Sequence, residues 1–254
     1  MLVREQAKTL AERAHRPWPV SGRPWVMAQT WEDLLFAHWR VPVDALRRVV
    51  PSQLPLDTFD GSAWIGVTPF LVRGLRLRLT PPVPFVSRFP ELNVRTYVTV
   101  GGRPGIYFLS LDAASRLAVV GARRTFRLPY FHARMRARRM DRAVRYSSER
   151  VSSDGESANF RAQYRPIGAR YVASPESLEY FLAERYCLYT FDESVRIYRA
   201  DIHHPPWRLQ PAEAEIGANS MTVPLGIELP REPLVHFAAR QDVLIWRREG
   251  VPTD

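Results

Sequence analysis

The sequence runs ELNVRTYVTVGGRPGIYFLSLDA from Glu91 to Ala113, and this stretch decides the fold. Its two halves are rich in β-branched and aromatic residues, which favour strands. Between them lies Gly101-Gly102-Arg103-Pro104-Gly105, a glycine- and proline-rich segment that is typical of a turn. The pattern predicts a hairpin, with one strand over Glu91–Val100 and the second over Ile106–Ala113.

Further strand patterns flank this hairpin on both sides. The clearest runs from Tyr130 to Arg138, where residues alternate with the period of two that a strand requires. Other strands are predicted over residues 25–41, 62–72, 144–150, 159–164, 187–191, 195–202 and 234–246, with a turn at Asp154-Gly155. Short helices are predicted over residues 2–14, 42–50, 115–125 and 174–185, the last of them opened by Ser174-Pro175.

These elements together predict a mainly β protein with a few short helices, an α+β fold. No repeat or linker divides the sequence, so we expect one domain over residues 1–254, with an N-terminal helical extension over residues 1–22. Many strands favour a closed β-barrel, because closure removes exposed sheet edges. The inside of such a barrel is the natural place for a ligand pocket.

The charge of the chain is strongly basic, with 36 lysines and arginines and a formal net charge of +10. Lys8 is the only lysine, so 35 of these cations are arginines. A codon bias toward arginine explains this composition. The alternative is anion binding, since arginine grips carboxylate or phosphate with two hydrogen bonds. A basic run from Arg134 to Arg145 suggests nucleic-acid binding as a further hypothesis. No recognised motif accompanies the run, so we do not expect that partner.

The residue composition also limits the expected cellular location of the protein and the cofactors it can hold. No apolar run approaches the roughly 20 residues that cross a bilayer, and the first residues lack the apolar centre of a secretory signal. The single Cys187 excludes an intrachain disulfide. We therefore expect a cytoplasmic protein without a membrane partner. The histidines show no metal-binding spacing, so we predict no metal and no cofactor; a homo-oligomer stays open.

Six phrases of the sequence carry a family resemblance. They are HRPWP at residues 15–19, DLLFAHW at 33–39, LDTFDG at 56–61, FPELNVRTY at 89–97, ERYCLY at 184–189 and IHHPPW at 202–207. Together they resemble the uncharacterised bacterial YqjF-like family of unknown function, over a span from about His15 to Trp246. That family looks like a distant branch of the acetoacetate decarboxylase-like superfamily. The resemblance implies a double-layered, cone-like β-barrel that encloses a pocket.

The superfamily resemblance also implies a chemistry that this chain lacks. In the decarboxylase, a buried lysine beside a second lysine forms a Schiff base with a keto acid. The segment here that resembles the lysine-bearing one is GARRTFRLPYFH at residues 121–132. Tyr130 and Phe131 stand where two lysines would follow the proline, and neither can form a Schiff base. Because Lys8 lies in the N-terminal segment, the residue inventory excludes the imine mechanism.

Glu91, Asn93 and Arg95 form the first group of candidate site residues. Their spacing along a strand places a carboxyl, an amide and a guanidinium on one face. Such a row could bind a small carbonyl acid, with Arg95 holding the anion and Glu91 moving a proton. A solvated or internally paired face is the alternative. The resemblance supports the functional interpretation, because it implies that a glutamate on the corresponding hairpin lines the decarboxylase pocket.

Tyr130 and His132 form the second group, since they share the strand face opposite Phe131. A tyrosine and a histidine could act as acid and base; a core tyrosine beside a surface histidine is the alternative. Arg123 in the same segment is a further candidate for substrate binding. We therefore predict a small-molecule pocket protein, an enzyme acting on a small organic acid or carbonyl compound without a Schiff-base lysine. A ligand sensor or carrier with the same pocket is the alternative function.

Overall fold

A computed structural model of the chain describes residues 2–83, 86–151, 157–192, 194 and 196–251. The strands found there belong to one twelve-stranded sheet. They are β1 (Met27–Val41), β2 (Ala63–Leu77), β3 (Arg88–Val100), β4 (Arg103–Ala113), β5 (Tyr130–Met140), β6 (Ala143–Arg150), β7 (Asn159–Pro166), β8 (Cys187–Phe191), β9 (Ile197–His203), β10 (Leu209–Asn219), β11 (Leu234–Ile245) and β12 (Glu249–Gly250).

The predicted hairpin is confirmed as β3 and β4, with a tighter turn than expected. Val100 pairs with Arg103, so only Gly101 and Gly102 lie in the turn. Both glycines have positive φ, 56° and 69°, as a two-residue turn of type I′ requires. Glycine adopts this conformation without steric cost. The second strand consequently begins at Arg103 and not at Ile106.

Five neighbouring strands form a wall that two closed rings share. In the order β11-β1-β2-β3-β4, each strand of this wall hydrogen-bonds to the next. On one side β8 and β9 close the wall into a ring of seven strands, through the pairings β4–β8 and β9–β11. On the other side β5, β6, β7 and β10 close it into a ring of nine. The structure is the mainly β barrel that the strand patterns predict, and it has the double layer that the family resemblance implies.

Each side of the wall faces its own hydrophobic core. The inner core lies inside the seven-stranded ring and includes Phe36, Phe70 and Leu111. The interlayer core lies between the wall and the outer strands β5, β6, β7 and β10, and includes Leu35 and Leu92. Successive residues of a strand point to opposite faces, so one strand supplies side chains to both cores.

The described residues also form four short α-helices: α1 (Leu2–Lys8), α2 (Val43–Arg47), α3 (Arg116–Phe126) and α4 (Leu178–Ala183). The prediction for α3 is confirmed within one residue at each end, and its cap is Ser115, whose Oγ accepts a hydrogen bond from the Ala118 amide at 3.3 Å. The helix predicted over residues 174–185 is wrong at both ends. Glu176 has a φ of 72°, which a right-handed helix excludes, so α4 begins only after Ser177.

One further expectation needs correction, and one strand has no counterpart among the predicted elements. The N-terminal helix ends at Lys8, followed by a 3-10 turn over Thr9–Ala11, so the extension predicted over residues 1–22 is helical only in its first half. Strand β10 was not predicted, because Pro211 and Gly217 interrupt its pattern. The predicted turn at Asp154-Gly155 lies outside the described residues. Within the described part of the chain, no helix combines the length and apolar character needed to span a membrane.

Candidate functional site

The row of Glu91, Asn93 and Arg95 faces the inner core. On the neighbouring strand β2 their direct partners are, in the same order, Phe70, Thr68 and Gly66. Directly paired residues of antiparallel strands share a face, and Phe70 belongs to the inner core. The three side chains are only 5–6% exposed. The row is therefore not solvated and lies inside the seven-stranded ring.

Tyr130 reaches Glu91 from the far side of β4. The parallel pairing of β5 with β4 sets Tyr130 beside Leu111, and the tyrosine hydroxyl donates a hydrogen bond to Glu91 Oε1 at 3.0 Å. Burial raises the pKa of Glu91 from 4.5 to about 8, against the lowering effect of that hydrogen bond. Burial and the adjacent Glu91 hold the pKa of Tyr130 well above its usual value. At neutral pH both groups keep their protons, and the pair is a buried proton donor.

Arg95 is a buried cation without a carboxylate at ion-pair distance among the described residues. Its Nη2 donates to the Leu182 carbonyl at 3.0 Å. The guanidinium carbon lies 5.1 Å from the ring centre of Phe36 and 5.7 Å from that of Tyr97. Its buried Nε has no hydrogen-bond partner within the described ranges. Ring faces and one carbonyl stabilise the cation only in part, so this guanidinium has the capacity to bind an anion.

His38 belongs to the same site, and it is not among the site residues predicted from the sequence. It pairs with Gly66 across β1 and β2. A Cβ atom at Gly66 would lie 3.0 Å from His38 Cδ2 and 3.4 Å from Arg95 Cγ. Glycine therefore leaves the room in which these two side chains approach each other. The alternation within residues 33–39, which places His38 on the face of Phe36, is the signal that would have found it.

The hydrogen bonds around His38 define its tautomer. Tyr97 donates its only proton to the Leu182 carbonyl at 2.9 Å. His38 Nε2 lies 2.7 Å from the Tyr97 oxygen, so it is the histidine that donates there. Burial, together with the nearby Arg95 and His236, lowers the pKa of His38 well below its ordinary value and keeps the ring neutral. Its Nδ1 is thus a hydrogen-bond acceptor, and it has no partner in the described structure.

Five buried polar atoms around this site lack a hydrogen-bond partner. The five atoms that have no hydrogen-bond partner in the described ranges are Thr68 Oγ1, Asn93 Oδ1, Arg95 Nε, His38 Nδ1 and Trp207 Nε1. Trp207 packs edge-on against Phe36, with ring centres 4.8 Å apart. Buried polar groups nearly always have partners, so these five atoms make the inner row a candidate binding site. Two surface depressions, of about 260 and 240 Å³, lie elsewhere, on the outer sheet and beside Leu128.

His132 and Arg123 lie at the edge of this site. His132 is half-buried, and burial followed by the positive charge of Arg116 lowers its pKa. Arg123 extends from α3, and its Nε donates to the backbone carbonyl of Tyr130 at 2.6 Å. The structure thus brings Glu91 and Tyr130 into contact and places Arg123 behind Tyr130. The catalytic role of His132 and the substrate-binding role of Arg123 stay predictions.

The two positions that resemble the lysine pair point in different directions. Tyr130 enters the inner site, whereas the ring of Phe131 packs under the guanidinium of Arg150 at 4.0 Å. Lys8, the only lysine of the chain, is exposed on α1 and forms an ion pair with Glu5 at 3.1 Å. The amine required for an imine is therefore not in the inner ring.

Two alternatives, a metal site and a nucleic-acid surface, can be compared with the described residues. The described residues contain no group of three or more histidine, cysteine, aspartate or glutamate side chains that could hold a metal ion. The basic run of β5 is exposed at Arg134, Arg136 and Arg138. Arg134 pairs across the sheet with Glu149, and Arg139 forms an ion pair with Asp33. This face mixes both signs of charge and is not a uniformly basic surface.

Solved structures share this fold at low sequence identity. The enduracididine biosynthesis enzyme MppR complexed with pyruvate matches with a TM-score of 0.62 and 15% identity, over 92% of this chain and 93% of that one. MppR complexed with the condensation product of pyruvate and imidazole 4-carboxaldehyde matches with a TM-score of 0.64 and 14% identity, over 93% and 98%. Acetoacetate decarboxylase from Legionella pneumophila subsp. pneumophila str. Philadelphia 1 matches with a TM-score of 0.60 and 13% identity, over 94% of both chains. The fold is therefore that of the acetoacetate decarboxylase-like proteins.

Comparison of sequences gives a relative of much higher identity than these solved structures. The uncharacterized protein YqjF of Bacillus subtilis (strain 168) is 54% identical over 223 residues, which cover 87% of this chain and 91% of that relative. The DUF2071 family, described as an uncharacterized conserved protein, matches residues 28–242. That range contains the hairpin, the inner row and the segment of Tyr130. The chain belongs to the DUF2071 family and has the fold of the acetoacetate decarboxylase-like proteins.

Proposed function

We propose that the interior of the seven-stranded ring binds a small organic acid, and that Glu91 with Tyr130 transfers a proton to or from it. Arg95 holds the carboxylate of the acid in this proposal. The observation that carries it is the burial of Arg95 without a carboxylate at ion-pair distance in the described structure. The reaction proceeds without a Schiff base, since the only lysine is exposed on α1.

The carboxyl group in the same row does not neutralise Arg95. Glu91 lies four residues away, about 13 Å along an extended strand. Its pKa of about 8 keeps it protonated at neutral pH. A buried cation without a counter-charge carries a large desolvation cost, which an anionic ligand offsets. This supports an acid as the ligand in preference to a neutral carbonyl compound.

Glu91 and Tyr130 together support general acid–base chemistry. Protonated Glu91 can donate a hydrogen bond to a carbonyl or hydroxyl oxygen of the ligand, and this polarises the carbon that bears it, while Tyr130 donates its one proton to Oε1 of Glu91. A pKa near neutrality lets Glu91 give and take a proton at physiological pH. In this proposal half-buried His132 exchanges the proton with solvent, Asn93 hydrogen-bonds the ligand, and Arg123 supports Tyr130 from behind.

The solved relatives support the class of ligand. Two of them hold pyruvate or a condensation product of pyruvate, and both of these ligands are small acids or their adducts. At 14–15% identity these structures share the fold with the present chain. They favour a small acid inside the barrel, and the residues of this chain set the chemistry.

The proposal is tested by thermal unfolding in the presence of a panel of small carboxylates. We expect at least one acid to raise the melting temperature of the wild-type protein. Arg95→Met should abolish this rise, because it removes the only charge offered to the carboxylate in the inner row. Arg134→Met is the matched control, since it removes an exposed arginine from the outer sheet. Equal ligand-induced shifts in wild type and Arg95→Met would contradict the proposal.

A ligand carrier or sensor without turnover is the second candidate function. The observation that favours it is the position of Tyr130, a phenol in a segment that resembles one bearing reactive lysines. Incubation of the protein with a stabilising acid, followed by mass spectrometry, separates the two candidates, because a carrier returns the acid unchanged. Either function is proposed for the cytoplasm, where the free thiol of buried Cys187 stays reduced.

A further inference from the structure

The segment between α1 and β1 covers the outside of the seven-stranded ring. Residues 9–25, which we call the N-terminal strap, begin with the 3-10 turn and continue without a further helix or strand. Ala200 and Ile202 of β9 face the inner core, so the alternation of the strand turns His203 to the outer face, under the strap. Apolar residues of the strap pack on apolar residues of this outer face: Leu10, Val20 and Trp25 on Ala28, Leu244 and Trp246.

His203 fastens the strap to β9 through two hydrogen bonds. Its Nε2 lies 2.8 Å from the Thr9 carbonyl oxygen, and its Nδ1 lies 3.3 Å from Arg16 Nη1. A guanidinium can only donate, so Nδ1 is the acceptor and Nε2 carries the single proton of a neutral ring. The same Arg16 nitrogen donates to the Ile202 carbonyl at 2.7 Å. Both partners of the ring belong to the strap, and the contact with Arg16 requires the ring to be neutral.

Protonation of His203 sets the ring against Arg16. A proton on Nδ1 would place an N–H group opposite the guanidinium N–H and a second positive charge beside the first. Burial is the main cause that lowers the pKa of His203 from 6.5 to about 4, against the raising effect of the bond to Thr9. The charges of three neighbours lower it further: Arg16, His204 and His15. The docked strap therefore disfavours the charged ring.

No carboxylate among the described residues lies at ion-pair distance from His203 to stabilise the charged ring. Asp201 precedes it by two residues on the same face of β9, but pairs with Arg199 at 3.1 Å. His204, the next residue, has carbonyl oxygens at both ring nitrogens, at 2.8 and 3.3 Å, and neither oxygen belongs to the strap. A proton on His204 would thus gain an acceptor, whereas a proton on His203 breaks a contact with the strap.

We infer that His203 is a proton-operated latch, whose protonation releases the N-terminal strap from the outer face of the ring. Release uncovers Leu244 and Trp246, which are 0% and 3% exposed while the strap is docked. The acidified protein then presents an apolar surface that the neutral protein covers. The latch lies on the face of β9 opposite the inner core, so it does not depend on a ligand in that core.

The direction of the pH effect follows from two pKa values of His203. In the released form the ring faces solvent and takes up a proton near its ordinary pKa of 6.5, whereas the pKa in the docked form is about 4. The released form therefore binds the proton more tightly, and the equilibrium constant for release rises as pH falls from about 6.5 to 4. The rise approaches about tenfold per pH unit and ends below about pH 4, where both forms are protonated.

Hydrogen–deuterium exchange of the full-length protein between about pH 6.5 and 4.5 measures this constant, once the rates are corrected for the pH dependence of chemical exchange. The amide of Arg16, which donates to the Arg13 carbonyl at 3.1 Å, lies in the strap and reports its release. Peptides of β3 are the internal reference for global unfolding. We expect the release constant of the strap to rise at least about tenfold over this range while β3 stays protected. A constant that does not change, or strap and β3 peptides that open together, would overturn the inference.

His203→Gln assigns the effect to the latch, because glutamine keeps one donor and one acceptor but does not titrate. Its release constant should change by less than about threefold over the same range. His132→Gln is the matched control, since it removes a half-buried histidine of lowered pKa from β5 and should keep the wild-type rise. A tenfold rise that persists in His203→Gln, or that His132→Gln also abolishes, would contradict the latch. His203→Asn, which likewise lacks a titrating group, gives the same comparison if the glutamine variant does not fold.

Discussion

Arg95 and Arg150 are both buried, and they lie on opposite sides of the same five-stranded wall. Arg150 contacts a carboxylate, whereas Arg95 does not contact one among the described residues. Arg150 reaches from β6 to Asp112 on β4, with a nitrogen–oxygen distance of 2.9 Å, and donates to Ser110 Oγ at 3.2 Å. Arg95 projects into the inner ring, where it meets a backbone carbonyl and two aromatic rings. The interlayer arginine is a structural cross-link, and the inner one is the proposed anchor of the ligand.

The alternation of side chains along the wall produces this contrast. On β3, Leu92 and Val94 enter the interlayer core, whereas Glu91, Asn93 and Arg95 between and beside them face the inner ring. The apolar face stabilises the fold through burial. The polar face holds atoms without partners in the described structure and therefore lowers stability. Such a cost is expected where a protein keeps polar groups ready for a ligand.

The largest effect on stability is expected from breaking the interlayer ion pair. Asp112→Asn keeps the size of the side chain and leaves the charge of Arg150 buried without its partner. The free energy of unfolding should fall by about 3–5 kcal/mol, as for other buried pairs that lose one member. Denaturant titration at a fixed pH measures this change. A loss below about 1 kcal/mol would mean that the two arginines do not differ as the geometry indicates.

The next effect is a pH dependence that originates at Glu91. The carboxyl of the unfolded chain loses its proton near pH 4.5, and the folded protein keeps it until about pH 8. Unfolding therefore releases a proton between these values, and the contribution of Glu91 to stability falls as pH rises from about 5 to 8. The slope approaches about 1.4 kcal/mol per pH unit.

Glu91→Gln serves as the reference for this pH dependence, because it removes the titrating group and keeps its size. The difference in unfolding free energy between wild type and variant should shift in favour of the variant as pH rises from 5 to 8. Using the difference cancels the other groups that titrate in this range. A difference that stays constant across the range would show that the carboxyl of Glu91 has no raised pKa.

A smaller effect on stability is expected at Arg95. Arg95→Met replaces a buried cation that lacks a counter-charge with an apolar chain of similar length. The free energy of unfolding should stay within about 1 kcal/mol of the wild-type value or rise, in contrast to the loss at Asp112. Denaturant titration without added acid checks this prediction. A loss comparable to that of Asp112→Asn would assign Arg95 a structural role and weaken the proposed function.

One strand of the site follows from the sequence, whereas the residues that neighbouring strands add to it do not. The row on β3 could be predicted because the period of two is a local property of the chain. Thr68 and His38 join this row only through sheet pairing, and a single sequence does not encode that register in any local pattern. The contact between Tyr130 and Glu91 likewise depends on a parallel pairing of β5 with β4. The barrel could be predicted from the number of strands and from the family resemblance, whereas the sharing of its wall by two rings could not.

The smallest effect is expected from His132→Gln. His132 is half-buried and stands beside the positive charges of Arg116 and Arg134, which, after burial, lower its pKa. Stability should change by less than about 0.5 kcal/mol, as at other sites near the surface. In the proposed function His132 only exchanges the proton with solvent, so turnover of an accepted acid should fall by less than about tenfold, below the usual contribution of a direct acid or base. Steady-state rates in buffers of increasing concentration measure this, because a small buffer acid can replace a solvent-facing proton carrier. A hundredfold loss that buffer does not restore would move His132 from the edge of the site to the reacting atoms.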